Sequence, residues 1–404
     1  MSSSGAAFAA RFEESSTPAG PGDADLLLLP RAVRRRARSS GDSMAELLSR
    51  RLGDRRDNNY NLLRFLAAAL VIFSHSFPMS GLKSDPLERL VGFSFGHLAV
   101  DVFFVISGFL VTSSLLSRRD LGSFAVARAL RLFPVLVAGA VGCAFVVGPL
   151  QTALPLGRYL AHPDTWKFAL ENSVPWPLGV RYTLPGVFES VPLRGAVNGS
   201  LWSMPWELSM YVVLSALGAL AFTGRRPLSE RALRRVLVGI GVTATVAFTL
   251  YESLGLPYEF HVSQGLRLTS LFFGGATLLV LSDRVVLSGR LALLAVVLLA
   301  ADFLLPRPLM AVYVVTLVYL VLWLAYAPAG PLAAYRRAGD FSYGTYVYAF
   351  PLGQCVAAWW PGASWVAIAL LALPMTVALA VPSWYLLEKP LLDRKPRAKA
   401  AAAG

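Results

Sequence analysis

Long apolar stretches alternate with short turns rich in Arg and Lys along most of this chain. Ten stretches of roughly spanning length follow one another, at 61–79, 97–116, 125–148, 202–222, 235–253, 265–283, 290–305, 309–327, 341–360 and 364–386. An α-helix rises about 1.5 Å per residue, so about twenty apolar residues cross the hydrocarbon core of a bilayer. In lipid every backbone polar group must be bonded internally, and a helix achieves this within one segment. The pattern predicts an all-α integral membrane protein with about ten transmembrane helices.

Composition narrows the class further. Of 404 residues, 55% are hydrophobic and 15% charged, which excludes a soluble multidomain protein. The net charge of +13 would suit a nucleic-acid binder, but no recognition module is readable, so no nucleic-acid partner is expected. The cations instead fall in alternate turns: Arg118 and Arg119; Arg225, Arg226, Arg231, Arg234 and Arg235; Arg284 and Arg290; Arg336 and Arg337; and Lys389, Arg394, Lys395, Arg397 and Lys399. With ten spans all of these lie on one side, and the positive-inside bias makes that side cytoplasmic. Both termini are then cytoplasmic and the partner surface is the lipid bilayer.

Three regions divide the chain. Residues 1–57, rich in Ser, Ala, Gly, Pro and Arg, read as a disordered basic cytoplasmic tail drawn to anionic lipid. No long apolar run marks them as a secretory signal, and Met44 is an alternative start beside Met1. Residues 58–393 form the membrane domain, and 394–404 a short basic, Ala-rich tail that is also cytoplasmic. The one long external loop, about 150–200, carries Trp166, Trp176, Tyr182 and Phe188. Its aromatics suit either stacking on sugar rings or an interfacial belt. Asn198-Gly199-Ser200 matches a glycosylation sequon but abuts a membrane helix. Cys143 and Cys355 lie inside apolar segments and read as packing residues, with neither a disulfide framework nor a metal site.

The chemistry starts in the first span, NLLRFLAAALVIFSHSF, from Asn61 to Phe77. Eleven residues separate Arg64 from His75, which is about three turns and roughly 16 Å, so the two share a face at opposite depths. Ionisable groups inside a membrane segment are costly and face a polar interior. A histidine side chain in water titrates near neutrality, which makes His75 a candidate general base, although a lone intramembrane His also serves as a helix-packing donor. Arg128 and Arg131, three residues apart, share a helical face near the cytoplasm, where positive-inside anchoring competes with ligand binding. Asp101 sits one turn after His97 and is placed to orient His75 or to pair with an arginine. Glu207 begins the fourth span on the outer side, near the depth of His75; it either assists the base or binds an acceptor, or is a helix-start carboxylate favoured by the dipole. Ser107 and Gly108 suit close helix packing. His162 and His261 read as solvated loop residues, and no His, Cys and carboxylate spacing suggests a metal site.

Five segments resemble the membrane-bound acyltransferase-3 family in order: LLRFLAAALVIFSH with Arg64 and His75; GHLAVDVFFVISGFLVTSSL at 96–115; RALRLFP at 128–134; NGSLWSMPWELSMY at 198–211; and DFSYGTYVYAFP at 340–351. The resemblance covers residues from about 58 to 393. It implies a bacterial enzyme of the inner (plasma) membrane that O-acylates, most often O-acetylates, carbohydrates or glycolipids outside the cytoplasm. Acetyl-CoA or another acyl-CoA is the implied co-substrate, with no permanently bound cofactor. His75 is the implied catalytic base, with Glu207 and Asp101 as catalytic candidates. Arg64, Arg128 and Arg131 would bind the phosphates of the acyl-CoA, since guanidinium forks match phosphate oxygens. Trp202, Ser203, Tyr211, Tyr343 and Tyr346 lie in the family's fourth and fifth motifs and are acceptor-binding candidates. Many members carry His in the fifth motif where Ala349 stands here, and the fused hydrolase-like domain of some relatives has no counterpart in this sequence. A transporter or flippase would use the same buried charges without chemistry, but such proteins usually show internal repeats, and none is evident. A non-catalytic membrane sensor fits less well with Arg64, His75 and Glu207 in place.

Overall fold

The computed structural model describes residues 46–52, 58–175, 179–223, 227–305 and 308–394, all within the compact unit Ala45–Gly404. Trp176, Arg225, Arg226, most of the N-terminal tail and residues 395–404 lie outside the described residues. Ten helices of fifteen or more residues occur among the described residues: α1 (Tyr60–Met79), α2 (Phe95–Arg118), α3 (Leu121–Gly142), α4 (Met204–Phe222), α5 (Glu230–Ser253), α6 (Phe260–Val280), α7 (Gly289–Phe303), α8 (Met310–Tyr326), α9 (Ser342–Trp359) and α10 (Trp365–Ser383). Among the described residues, six helical stretches are long and apolar enough to cross a membrane: Tyr60–Met79, Phe95–Arg118, Leu121–Gln151, Gly199–Phe222, Glu230–Ser253 and Trp365–Asp393. Leucines and valines of α7 such as Leu293, Leu294 and Val297 point outward. So extended an apolar surface calls for lipid rather than water around it.

Local chemistry sets the helix starts. Ser94 accepts from the His97 amide to cap α2, Asp120 accepts from Gly122 and Ser123 to cap α3, and Ser229 accepts from Ala232 to cap α5. α2 packs against both α1 and α6, while α9 packs against α1 and α10. The α2–α6 crossing is close because small residues meet there, as the sequence of α2 suggested for Gly108. A Cβ on Gly108 would lie 1.8 Å from the Phe272 carbonyl oxygen, and one on Gly275 2.3 Å from that of Val105.

Two expectations change. The N-terminal tail was expected to be disordered through residue 57, yet Glu46–Leu47 pairs antiparallel with Val286–Leu287 and Leu48–Leu52 is helical. Leu48 is fully buried, and burial of that apolar side chain fixes the segment. The long loop at about 150–200 also has structure of its own. Helices Leu156–Ala161 and Pro163–Ser173 form part of it, and Tyr159, Phe168, Leu184 and Phe188 build a second small core with Cys143 and Cys355. Phe188 is thus a packing residue, whereas Trp166 and Tyr182 remain exposed. Asn198 is buried and donates to the Val347 carbonyl, so the sequon is inaccessible to a glycan.

Candidate active site

The first helix divides the polar interior into two ends. Near its start, Arg64 lines a cavity of about 350 Å³ together with Ser107, Arg128, Arg131, Glu207, Tyr211 and Asp340. The three arginines named from sequence therefore meet in one cavity, and the spacing of three does put Arg128 and Arg131 on a shared face. Asp340 ties two of them together: its Oδ2 accepts from Arg64 Nη1 at 2.7 Å and from Arg131 Nη2 at 2.6 Å, and Ser342 donates to its Oδ1. Arg131 Nη1 also donates to Glu388 at 3.3 Å. A π-helical turn, Trp384–Glu388, carries that buried carboxylate and also lays Trp384 against the Arg131 guanidinium. Such π turns are frequent at functional sites. Arg128 differs. It has no ion pair among the described residues, its Nε finds no hydrogen-bond partner, and its guanidinium lies 6.0 Å from the Phe124 ring.

Glu207 belongs to this cavity. Its Oε1 accepts from the Tyr211 hydroxyl, one helical turn on, and from Ser107 of α2 at 3.2 Å. Position at the start of a helix suggested a partner for His75, but the side chain is turned inward toward the arginines. Ser107 thus has a polar task besides easing the helix crossing.

His75 lies at the other end of α1. Its Nδ1 is buried without a hydrogen-bond partner, and its ring meets Phe350 edge-on at 5.0 Å. Among the described residues it makes no hydrogen bond or ion pair with Asp101 or Glu207. Its neighbour Ser74 donates to Asp85, which also accepts from the backbone N–H of Phe95, so the C-terminal end of α1 is bound to the start of α2. Ala349, where many relatives carry His, is buried beside Ile72 and Ala372 and supplies no polar group.

Asp101 is held by residues that the sequence reading passed over. Tyr313 donates to its Oδ2, and Arg267 Nε stands 3.6 Å from its Oδ1. Of the two roles open to Asp101, pairing with an arginine is the one the geometry realises. Arg267 and Asp340 were both missed. Arg267 was findable, because it is a cation inside an apolar span, the same signal that marked Arg64.

The acceptor candidates separate likewise. Trp202 lies near the start of α2, with its ring 6.2 Å from His97 and 6.0 Å from the Arg267 guanidinium. Ser203 and Tyr346 hydrogen-bond each other at 2.8 Å, and Tyr346 also donates to the Ser200 carbonyl. Tyr343 contacts the Met204 sulfur and the Arg131 guanidinium. Tyr211 serves Glu207. Ser203, Tyr343 and Tyr346 therefore join separate elements inside the bundle, while the Tyr211 bond stays within α4. Among the described residues no group of three or more His, Cys, Asp and Glu could hold a metal ion.

A multi-helix membrane protein with buried charged clusters at two depths is the class these features define. Comparison with known proteins narrows it. The acyltransferase-3 family, described as "Acyltransferase domain", matches residues 57–385, and the chain belongs to that family. It is similar to the O-acetyl transferase of Shigella phage Sf6, 27% identical over 358 residues, covering 84% of this chain and 97% of that protein. It is also similar to Nodulation protein 10 of Rhizobium leguminosarum bv. viciae, 29% identical over 364 residues, covering 83% and 93% respectively. No solved structure matches. The chain is an acyltransferase enzyme of the O-acyl type, built on membrane helices.

Proposed function

We propose that this protein moves an acetyl or other acyl group from cytoplasmic acyl-CoA to a hydroxyl of a carbohydrate or glycolipid presented on the far side of a bacterial inner membrane. The observation that carries this reading is the division of α1. Arg64 opens into an arginine-lined cavity at one end, and His75 holds an unsatisfied buried nitrogen at the other. An unmet buried polar atom in a folded protein calls for an explanation, and a base awaiting its substrate's proton supplies one.

In this account the ten helices α1 to α10 all cross the membrane, with both termini and the arginine cavity facing the cytoplasm. The acyl-CoA phosphates approach Arg128, whose guanidinium is not committed to a carboxylate, while Asp340 and Glu388 hold Arg64 and Arg131 in place. The pantetheine arm carries the thioester inward toward His75. His75 takes the acceptor hydroxyl proton as that oxygen attacks the thioester carbonyl; the carbon–sulfur bond breaks, and the thiolate leaves as thiol on receiving the proton. Glu207, fixed by Tyr211 and Ser107 on the cavity wall, positions the arm rather than the base. The printed name of the phage relative favours acetyl as the group moved. A transporter would turn over no thioester. Purified protein in nanodiscs, given acetyl-CoA and candidate glycans, should release CoA only when an acceptor is present; transport of glycan without CoA release would refute the reading.

A further inference from the structure

A second cavity, of about 260 Å³, lies away from the arginine cavity, walled by Phe93, His97, Ser263, Gln264, Arg267 and Tyr313. That is many times the space one water needs. We propose that this cavity binds one uncharged, hydroxyl-bearing sugar ring of the acceptor. The proposal deepens the acceptor half of the function above and rests on that reading.

The argument begins with hydrogen bonds that are missing. Arg267 is 3% exposed and Gln264 is 5% exposed. Two guanidinium nitrogens of Arg267, Nε and Nη2, have no hydrogen-bond partner, and neither does Gln264 Oε1. Leaving such groups buried and unmet is costly, because each has lost its hydrogen bond to water with nothing in return. Gln264 Nε2 is already committed to the Tyr258 hydroxyl and Ser263 to Glu252, so both are held in place. The unmet set therefore contains donors from Arg267 and an acceptor from Gln264. An ionised carboxylate or phosphodiester only accepts and would leave Gln264 Oε1 unsatisfied. A sugar hydroxyl both donates and accepts, and a ring carrying several meets both residues at once.

Charge and shape agree. Asp101 stands 3.6 Å from Arg267 and Glu252 lies on the cavity wall, so no excess positive charge remains to draw in an anion. Arg267 is flanked by the rings of Phe93 at 5.3 Å and Trp202 at 6.0 Å. A pyranose has an apolar face of C–H groups and a rim of hydroxyls, which suits aromatic walls around a polar floor. Position fits as well. His97 on the wall pairs with Ser94 at 2.7 Å, and Asp85, which accepts from Ser74 beside His75 and from the Phe95 N–H, ties this start of α2 to the His75 end of α1. A ring held here would offer a neighbouring hydroxyl toward the His75 end of the bundle.

The test uses the full chain in lipid nanodiscs, with tryptophan fluorescence and saturation-transfer NMR as readouts. The probes are methyl glycosides of glucose, galactose, mannose and rhamnose, set against methyl glucuronoside and inorganic phosphate. At least one neutral glycoside should bind saturably, and Gln264→Leu should weaken it about ten-fold, the loss of one hydrogen bond of ordinary strength. Arg267→Lys, which keeps the charge but loses the fork, should weaken it too and serves if Gln264→Leu does not fold. Acetyl-CoA binding should be unchanged in either variant. Preference for glucuronoside or phosphate, no binding by any neutral glycoside, or binding indifferent to both substitutions would each overturn the proposal. Sugar binding with no CoA release would instead remove the acyl-CoA reading and leave this cavity's assignment standing.

Discussion

The two ends of the α1 interior treat buried charge in opposite ways. At the arginine end, Arg64 and Arg131 converge on one oxygen of Asp340 within 2.7 Å, and Glu388 takes the remaining fork of Arg131. At the histidine end, Arg267 stays 3.6 Å from Asp101, while His75 Nδ1 and Gln264 Oε1 have no partner. Satisfied bonds rigidify a buried network, and at the arginine end most of the charge is met, with Arg64 Nε and Arg128 Nε left without a hydrogen bond. The difference teaches that the number of arginines in a cavity is a poor guide to ligand binding. What counts is which of their nitrogens lack a hydrogen bond: Nε of Arg128 at one end, and Nε and Nη2 of Arg267, ion-paired though it is with Asp101, at the other.

The sharpest way to break the comparison is His75→Ala. Losing a general base typically costs about two to four orders of magnitude in rate. Turnover of acetyl-CoA with acceptor should fall by that much while the melting temperature and acetyl-CoA affinity hold. Near-normal turnover would remove His75 from the chemistry.

Asp340→Ala attacks the paired end. It leaves two buried cations without their shared counter-charge, and breaking a buried pair costs about 3–5 kcal/mol. The variant should melt far below the parent in detergent or nanodiscs. An unchanged melting temperature would mean that the network is not structural and that Asp340 only occupies a place meant for ligand.

Arg128→Ala should do the reverse. With no carboxylate to orphan, the protein should fold normally, while the KM for acetyl-CoA rises about ten- to a hundred-fold, the worth of one charge-assisted bond. A shift in acceptor KM with donor KM unmoved would contradict the donor assignment.

Much of this was legible in the sequence, and the rest was hidden for identifiable reasons. The long helices follow from apolar length, because lipid leaves the backbone no alternative to helix. Arg64, Arg128 and Arg131 could be grouped by depth alone, and one cavity does join them. Their neutralisation by Asp340 and Glu388 could not be read, since both carboxylates come from far along the chain and meet the arginines only through packing. The inward turn of Glu207 depends on Tyr211 one turn below it and Ser107 on another helix. Helix position fixes depth but not which neighbour a rotamer finds. The folded strand at Glu46–Leu47 was missed because two residues are too few for any pattern to mark them.

The smallest effect is expected from removing residues 1–43. None of the residues named at either end lies there, and the composition is that of a segment unable to bury a core. A chain starting at Met44 should complement a deletion strain with activity within about two-fold of the parent, as expected for a segment that buries no core. Loss of activity at normal membrane levels would show that the tail carries a function of its own.

The central claim is that the two ends face opposite sides of the membrane, so that donor and acceptor never share an aqueous phase. Single cysteines at Leu170, exposed on the long loop, and at Arg231, exposed near the start of α5, report on this directly. With Cys143 and Cys355 replaced, a membrane-impermeant maleimide applied to spheroplasts should label the Leu170→Cys protein at once and the Arg231→Cys protein only after permeabilisation. Labelling at 231 and not at 170 would invert the topology and contradict the transfer across the membrane.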